Sequence, residues 1–364
     1  MPLTFDQAEK KFKDSDINGL AKDTDGLRYL KIRSLSRPAV LRALFQSVGI
    51  VVPETAGRAL FRAAFESAAS VAQIEEFIKD TYNTDRTARE VNEDELINQL
   101  YRLQEFNWGG LHQNSLEKTI VDNYVKKISN YDALIEAVEG DLHTSLRGYV
   151  TCSWYNHWTS IIIEDVFKTN PRILPAVGLI KQIDFFIDDV PYDLKVTYLP
   201  EGFVKDRRKE DGVGVELTIL KRAARQFGVP INANLSDSTL MQDLWTKIAD
   251  HPDAECRDVV RGLDEFRSDL VTKIIEDPTQ LIRWLYEEQG VRRFDASNRL
   301  FLILVDRRNY FDSWKLKRAK QLLITRIGEQ LADGRQLGRE INFVFDGQNY
   351  SVISDLLVVT NAAD

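Results

Sequence analysis

Two apolar runs separated by Asp188 and Asp189 constrain the fold of this chain more than any other stretch. Residues 180–197 are rich in β-branched and aromatic side chains on both sides of the acidic pair. This pattern is typical of a β-hairpin with a two-residue turn. Each residue before the turn then pairs with the one equally far beyond it, so Asp184 lies directly opposite Asp193. In this register Pro191 occupies a non-hydrogen-bonded site, where its missing N–H costs nothing.

The predicted register places two carboxylates face to face. Asp184 and Asp193 form a non-hydrogen-bonded pair, and Lys195 follows on the same face as Asp193. Like charges in such a pair repel unless something lies between them, and a hard divalent cation such as Mg²⁺ fits that position. Two alternatives stay open: one Asp turns to solvent, or Lys195 alone neutralises the pair.

A helix predicted over residues 153–168 precedes the hairpin and is apolar around most of its circumference. Its remaining polar positions form one narrow strip of four residues: His157, Ser160, Glu164 and Lys168. A helix of this kind is largely buried, so the strip faces either a cleft or a small window of solvent. The cleft would place Glu164 near the hairpin.

Asp184, followed on the next strand by Asp193-Leu194-Lys195, resembles the motif of the PD-(D/E)XK nuclease superfamily, with Ile183 in place of the usual proline. The resemblance implies that Asp184 and Asp193 bind Mg²⁺, for which Mn²⁺ would substitute. It further implies the Leu194 carbonyl as a possible metal ligand and Glu164 as a holder of a second metal or a metal-bound water. Lys195 would orient or deprotonate the attacking water and stabilise charge on the phosphate.

The resemblance implies an α/β fold, a restriction-endonuclease-like core with a small mixed central sheet flanked by helices. Strands predicted at 299–305, 340–345 and 350–360 among helices agree with this class. We expect a helical N-terminal region at 1–128, which recognises DNA or serves as a partner or sensor unit. The catalytic domain is expected at 129–364.

Composition narrows the function classes. Apolar runs are strand-sized and Cys152 and Cys256 are isolated, so a cytoplasmic protein without a membrane span is expected. The sequence has no phosphate-binding glycine loop, no Gly-x-Ser-x-Gly elbow and no zinc-ligand spacing. The net charge of −8 does not exclude DNA binding, because affinity depends on a local basic surface.

Three basic segments are candidates for DNA contact. They are a predicted loop at 205–209, a helix at 214–227 and a helix at 312–331 whose cations are expected to point outward from an apolar side. The candidates are Lys205, Arg207, Arg208, Lys221, Arg222, Lys315, Lys317, Arg318 and Lys320. The alternative for each is an ordinary solvated surface.

The sequence therefore predicts an Mg²⁺-dependent endodeoxyribonuclease, most similar to a type II restriction endonuclease. Such an enzyme would cut a specific site in double-stranded DNA as a homodimer and leave 5′-phosphate ends. One alternative is a nuclease effector of phage defence or recombination with a helical sensor or partner domain. A second is a non-catalytic DNA-binding or assembly protein.

Overall fold

The computed structural model describes residues 2–35, 37–53, 56–108, 116–180, 182–288, 297–332, 335–345 and 347–361. Within these ranges the protein is an α/β structure with sixteen α-helices and one six-stranded sheet. The predicted α/β class with a mixed sheet is confirmed. None of the described helices is long and apolar enough to cross a membrane.

The sheet is mixed and open. Its strands lie in the order β1-β2-β3-β4-β6-β5. The first three are antiparallel, β3, β4 and β6 run parallel, and β5 is antiparallel to β6. The strand bounds are β1 Ile173–Ile180, β2 Ile183–Ile187, β3 Val190–Tyr198, β4 Arg299–Val305, β5 Arg339–Phe345 and β6 Gln348–Thr360.

Helices surround the sheet and form the whole described part of the N-terminal region. Two π-helical turns, Val121–Val125 and Val138–Leu142, and a 3₁₀ segment, Tyr310–Arg318, connect some of them. The α-helices are α1 Phe5–Lys13, α2 Ile17–Ala21, α3 Thr24–Ser34, α4 Pro38–Ser47, α5 Gly57–Glu66, α6 Val71–Glu90, α7 Glu93–Leu100, α8 Leu116–Ile120, α9 Tyr131–Ala137, α10 His143–Lys168, α11 Glu201–Glu210, α12 Glu216–Gln226, α13 Asp237–Ala249, α14 Ala254–Glu276, α15 Thr279–Glu287 and α16 Lys320–Gln330.

The central hairpin has the predicted register. Ile187 pairs with Val190, and Phe185 pairs with Tyr192. Asp188 and Asp189 have φ angles of 49° and 68°, which define a two-residue turn with both residues in the left-handed region. This turn matches the right-handed twist of the strands, and Asp tolerates the conformation better than most residues.

Two apolar layers cover the parallel part of the sheet. On one face, α10 and α16 pack against residues such as Leu194, Leu302 and Leu357. On the other face, α11, α14 and α15 pack against Phe301 and Ile303. Strand β4 is buried along its whole length, which agrees with the uninterrupted apolar sequence that follows its first residue, Arg299.

The N-terminal helices and the edge of the sheet share one core. Buried residues of β1 and β2, among them Leu174, Ile183 and Phe186, belong to the same apolar cluster as Leu30 and Ile78. The predicted division at residues 128 and 129 therefore does not coincide with a boundary between separate cores.

An ion-pair network adds to this attachment. The Lys31 side chain is 1% exposed, and its Nζ donates to Oδ1 of Asp189 at 2.6 Å and to a carboxylate oxygen of Glu75. The network joins the turn of the hairpin to α3 and α6.

Two sequence predictions about elements need correction. The predicted basic loop at 205–209 lies inside α11, and the helix predicted at 312–331 is a 3₁₀ segment followed by α16. The helix predicted at 153–168 is confirmed as the C-terminal part of a longer helix, α10. Strand β1 was not predicted, because a short apolar run has no periodicity that separates a buried strand from a buried helix.

Candidate active site

The hairpin brings Asp184 and Asp193 together as the register requires. Asp184 lies on β2, one residue before the pair formed by Phe185 and Tyr192, and Asp193 lies one residue after it on β3. The Leu194 backbone N–H donates a hydrogen bond of 2.8 Å to Asp184 Oδ2, which fixes that carboxylate against β3. Leu194 contributes an N–H here, and a metal-binding role for its carbonyl stays a prediction.

Asp193 is bound by two cations. Lys195 Nζ donates to Asp193 Oδ1 at 2.6 Å, and Arg299 Nε lies 3.7 Å from Asp193 Oδ2. The Lys195 side chain is 43% exposed, whereas Arg299 is buried. Parallel pairing of β3 with β4 places Arg299 directly beside Asp193. The alternative in which Lys195 neutralises the acidic pair therefore applies to Asp193 but not to Asp184.

Glu164 approaches from α10. Its Oε2 accepts from Lys168 Nζ at 2.8 Å, one helical turn further along the same strip. Both residues line a small surface cavity together with Ala176 and Val177 of β1. The strip of α10 therefore faces a cleft at Glu164 and Lys168, whereas His157 is exposed.

The surroundings of Asp184 disfavour the charged form of its carboxyl group. Burial raises the pKa of Asp184 to about 6, against the hydrogen bond from Leu194, which lowers it. The negative charges of Glu164 and Asp193 raise this pKa further, and Lys168 lowers it. Near neutral pH the site thus holds a half-buried carboxylate whose charge the surrounding cations do not fully offset.

The carboxylates have the donor chemistry that Mg²⁺ prefers, although they are not arranged as a complete metal centre. Among the described residues no group of three or more His, Cys, Asp or Glu side chains is placed so that it could hold a metal ion. Lys168 and Lys195 each bind one of the carboxylates. Asp184 fits a cation better than the other two, because its half-buried charge is the least compensated.

The candidate DNA-contacting residues divide by exposure. Lys205 and Arg222 are exposed, and Arg207, Lys221 and Lys315 are partly exposed and paired with acidic residues. Lys320 is partly exposed and paired with Glu93.

The expectation that the cations of the predicted helix at 312–331 point outward is wrong for Lys317 and Arg318, which are buried, and Arg208 of the predicted basic loop is buried as well. Arg208 donates to the Gly214 and Val213 carbonyls, and Arg318 donates to the carbonyls of Leu100 and Leu103. Lys317 donates to Asn156 Oδ1, and burial lowers its pKa to about 8. Acceptors from distant segments hold Lys317 and Arg318 inside, so apolar spacing along their own segment gives no indication of their burial. The acceptors of Arg208 are local, five and six residues further along the chain.

Sequence reasoning gave no role to two cations of the site. Lys168 has a local signal, since Glu and Lys four residues apart on a helix form a favourable pair. Arg299 has none, because it reaches Asp193 only through the pairing of two strands that are far apart in sequence.

Comparisons of the chain with family models, with curated proteins and with solved structures found no significant match. The geometry of the site therefore carries the functional argument alone.

Proposed function

We propose that the protein is an Mg²⁺-dependent endonuclease of the PD-(D/E)XK type that hydrolyses phosphodiester bonds in DNA. The observation that carries the proposal is the half-buried Asp184 carboxylate, opposite Asp193 on a hairpin and near enough to Glu164 that both charges raise its pKa. Lys195, half exposed and bound to Asp193, completes the set.

Each residue of the set has a part in the proposed reaction. Asp184 and Asp193 would hold the metal, with Glu164 at a second metal or a metal-bound water. The cation, when bound, lowers the pKa of water and shields phosphoryl oxygens. The Lys195 ammonium, accessible from solvent, can stabilise the negative charge that develops on the phosphate. Arg299, buried beside Asp193, is a positioning residue that would hold this carboxylate in its orientation.

The proposed substrate is double-stranded DNA, cut at a specific site as by a type II restriction endonuclease. One hairpin supplies one active site, so a homodimer would cut both strands with two-fold symmetry. Sedimentation should then give two chains per cognate duplex. A single chain on a duplex that is cut cleanly through both strands would contradict the dimer.

Plasmid digestion tests the proposal directly. Supercoiled plasmid is incubated with the wild-type chain in Mg²⁺, in Mn²⁺ and in EDTA. We expect cleavage with either metal, no cleavage in EDTA, and 5′-phosphate ends that a ligase accepts. Discrete fragments indicate restriction, whereas a smear indicates a nonspecific effector nuclease. Intact plasmid under all metal conditions would favour a non-catalytic DNA-binding or assembly protein.

A further inference from the structure

A cavity of about 850 Å³ opens at the carboxyl ends of parallel strands β3 and β4. Tyr198 at the end of β3 lines it, as do Tyr310 and Trp314 of the segment that follows β4. The candidate active site lies towards the opposite end of the parallel strands, where Asp193 pairs with the first residue of β4. Beyond the carboxyl ends of such strands is the usual place for ligands in open α/β sheets, and the volume suits a small molecule.

The walls of this cavity are aromatic. Phe106 and Trp314 are stacked with ring centroids 5.4 Å apart and planes inclined by 23°. Aromatic faces attract planar rings, and stacking of a nucleobase on such faces is favourable for every base. Six aromatic side chains take part: Phe106, Trp108, Tyr198, Tyr310, Phe311 and Trp314.

A buried arginine supplies a hydrogen-bond donor to the cavity. Arg267 is 1% exposed, and its Nε and Nη2 donate to the two carboxylate oxygens of Glu216 at 2.9 and 2.6 Å. Its Nη2 also donates to Glu201 Oε2 at 2.7 Å. The remaining nitrogen, Nη1, makes no hydrogen bond to a described residue, and the guanidinium lies over the rings of Trp245, Tyr310 and Phe311. A buried donor beside a cavity is well placed to receive an acceptor from a ligand.

Glu201 supplies an acceptor next to that donor. It lines the cavity, whereas Glu216 is buried behind it. Arg267 is shared by the two glutamates, and among the described lining residues it is the one cation against Glu105, Glu201 and Asp312, so negative charge is in excess at this wall. Excess negative charge repels a phosphate and favours a neutral ring that carries N–H donors.

We propose that the cavity binds a guanine base, with Glu201 accepting from its N1–H and N2–H groups and Arg267 Nη1 donating to O6. Guanine has two adjacent N–H donors beside a carbonyl oxygen. Adenine and cytosine each present a single amino donor on this edge, and thymine a single imide N–H. The ring would lie among the aromatic walls. This inference does not depend on the proposed DNA cleavage, because the base can belong to a free nucleotide or to an unstacked position of a nucleic-acid strand.

Nucleoside binding tests the proposal. Guanosine, inosine and adenosine are titrated into the protein in EDTA, and the fluorescence of Trp108 and Trp314 in the cavity wall reports binding. Inosine is guanosine without the N2 amino group. We expect guanosine to bind roughly tenfold or more tightly than inosine, the loss expected for one arm of a bidentate contact, and adenosine to bind more weakly still.

Two variants with the same charge change locate the contact. Glu201→Gln should weaken guanosine binding by tenfold or more, on the order of a lost bidentate pair. Glu210→Gln is the control, since Glu210 is an exposed residue of the same helix, paired with Arg207 and absent from the cavity wall. It should bind guanosine as the wild type does. If Glu201→Gln does not fold, as judged by circular dichroism, the relative affinities of guanosine and inosine for the wild type still test whether the cavity recognises guanine.

A strand-competition experiment identifies the source of the base. An oligothymidylate with one central guanine competes against guanosine 5′-monophosphate, with an inosine-containing strand as control. Tighter binding of the guanine-containing strand would show that the cavity takes an unstacked base of a nucleic acid. Tighter binding of guanosine 5′-monophosphate would show that it takes a free nucleotide. Equal affinity for guanosine and inosine, or no saturable binding by guanosine, would overturn the proposal.

Discussion

Asp184 is an acid whose ionisation works against folding. Its pKa rises from 3.8 to about 6 in the folded protein. Between these values the native state binds more protons than the unfolded chain, so this residue makes stability fall as pH rises through that window. The full cost near neutral pH is at most roughly 3 kcal/mol, since each pKa unit corresponds to about 1.4 kcal/mol. Such a cost at a half-buried carboxylate is typical of functional sites.

Asp184→Asn should therefore stabilise the protein in EDTA. Asparagine removes the charge and keeps an oxygen that can accept from the Leu194 N–H. We expect a higher melting temperature than the wild type at pH 7, by up to about 3 kcal/mol of unfolding free energy, and no difference below pH 4. Plasmid cleavage should be lost, and added Mg²⁺ should stabilise only the wild type. A variant less stable at pH 7 than the wild type would contradict the electrostatic account of Asp184.

Lys195 is the cation of the site with access to solvent, and therefore to a phosphate. Lys195→Ala should lower the rate of plasmid cleavage by about 10²–10³-fold while the melting temperature changes little, because the lost contact stabilises charge that forms during the reaction. Lys273→Ala is the control, since Lys273 is an exposed lysine on α14, outside the candidate DNA-contacting segments. Cleavage at the wild-type rate by Lys195→Ala would remove this residue from the mechanism.

At the scale of elements, the turn of the hairpin is attached to the N-terminal helices through one buried lysine. Lys31 is 1% exposed, whereas its partners Glu75 and Asp189 have side chains 35% and 64% exposed. Water can solvate the two carboxylates if the lysine is removed. The ammonium group has no such access if the carboxylates are removed. Removing the lysine and removing the two carboxylates should therefore lower the free energy of unfolding by different amounts.

Lys31→Met should lower the free energy of unfolding, measured with urea, by about 1 kcal/mol or less, because it replaces a buried charge by an apolar side chain of similar size. The double variant Glu75→Gln, Asp189→Asn should cost roughly 3 kcal/mol or more, because it leaves the buried ammonium without a carboxylate. Asparagine tolerates the positive φ of residue 189. Asp188→Asn, in the same turn, controls for changes of turn conformation. The opposite order of stabilities would show that Lys31 is not desolvated.

The same elements show why part of this structure was predictable from sequence. The hairpin register follows from local signals, namely an acidic two-residue turn and the position of Pro191, and the opposition of Asp184 and Asp193 follows from that register. Arg299 and the burial of Arg318 depend on contacts between distant segments. The pairing of strands far apart in sequence cannot be predicted from the local sequence, and neither can a carbonyl acceptor on a distant helix, such as that of Leu100. These two features are therefore visible only in the structure.

For the whole molecule, the shared core connects the helical region to the strand layer that carries Asp184. Five buried residues of β1 and β2 belong to the core formed by the N-terminal helices: Leu174, Ala176, Ile180, Ile183 and Phe186. Exposing a large apolar side chain costs roughly 1.5–3 kcal/mol. Removal of the helices would thus cost an amount comparable with the entire stability of a typical domain, about 5–15 kcal/mol.

A chain that begins at residue 129 should consequently not fold on its own. We expect circular dichroism of this fragment to show no cooperative melting, and calorimetry of the full chain to give a single transition in which helices and sheet unfold together. The hydrogen bond from Tyr82 Oη to Asp165 Oδ1, at 2.6 Å, and the two from Arg318 to the end of α7 add polar links between the same regions. Two separate transitions, together with a folded fragment in which residue 184 titrates near pH 6, would instead establish 1–128 and 129–364 as independent domains.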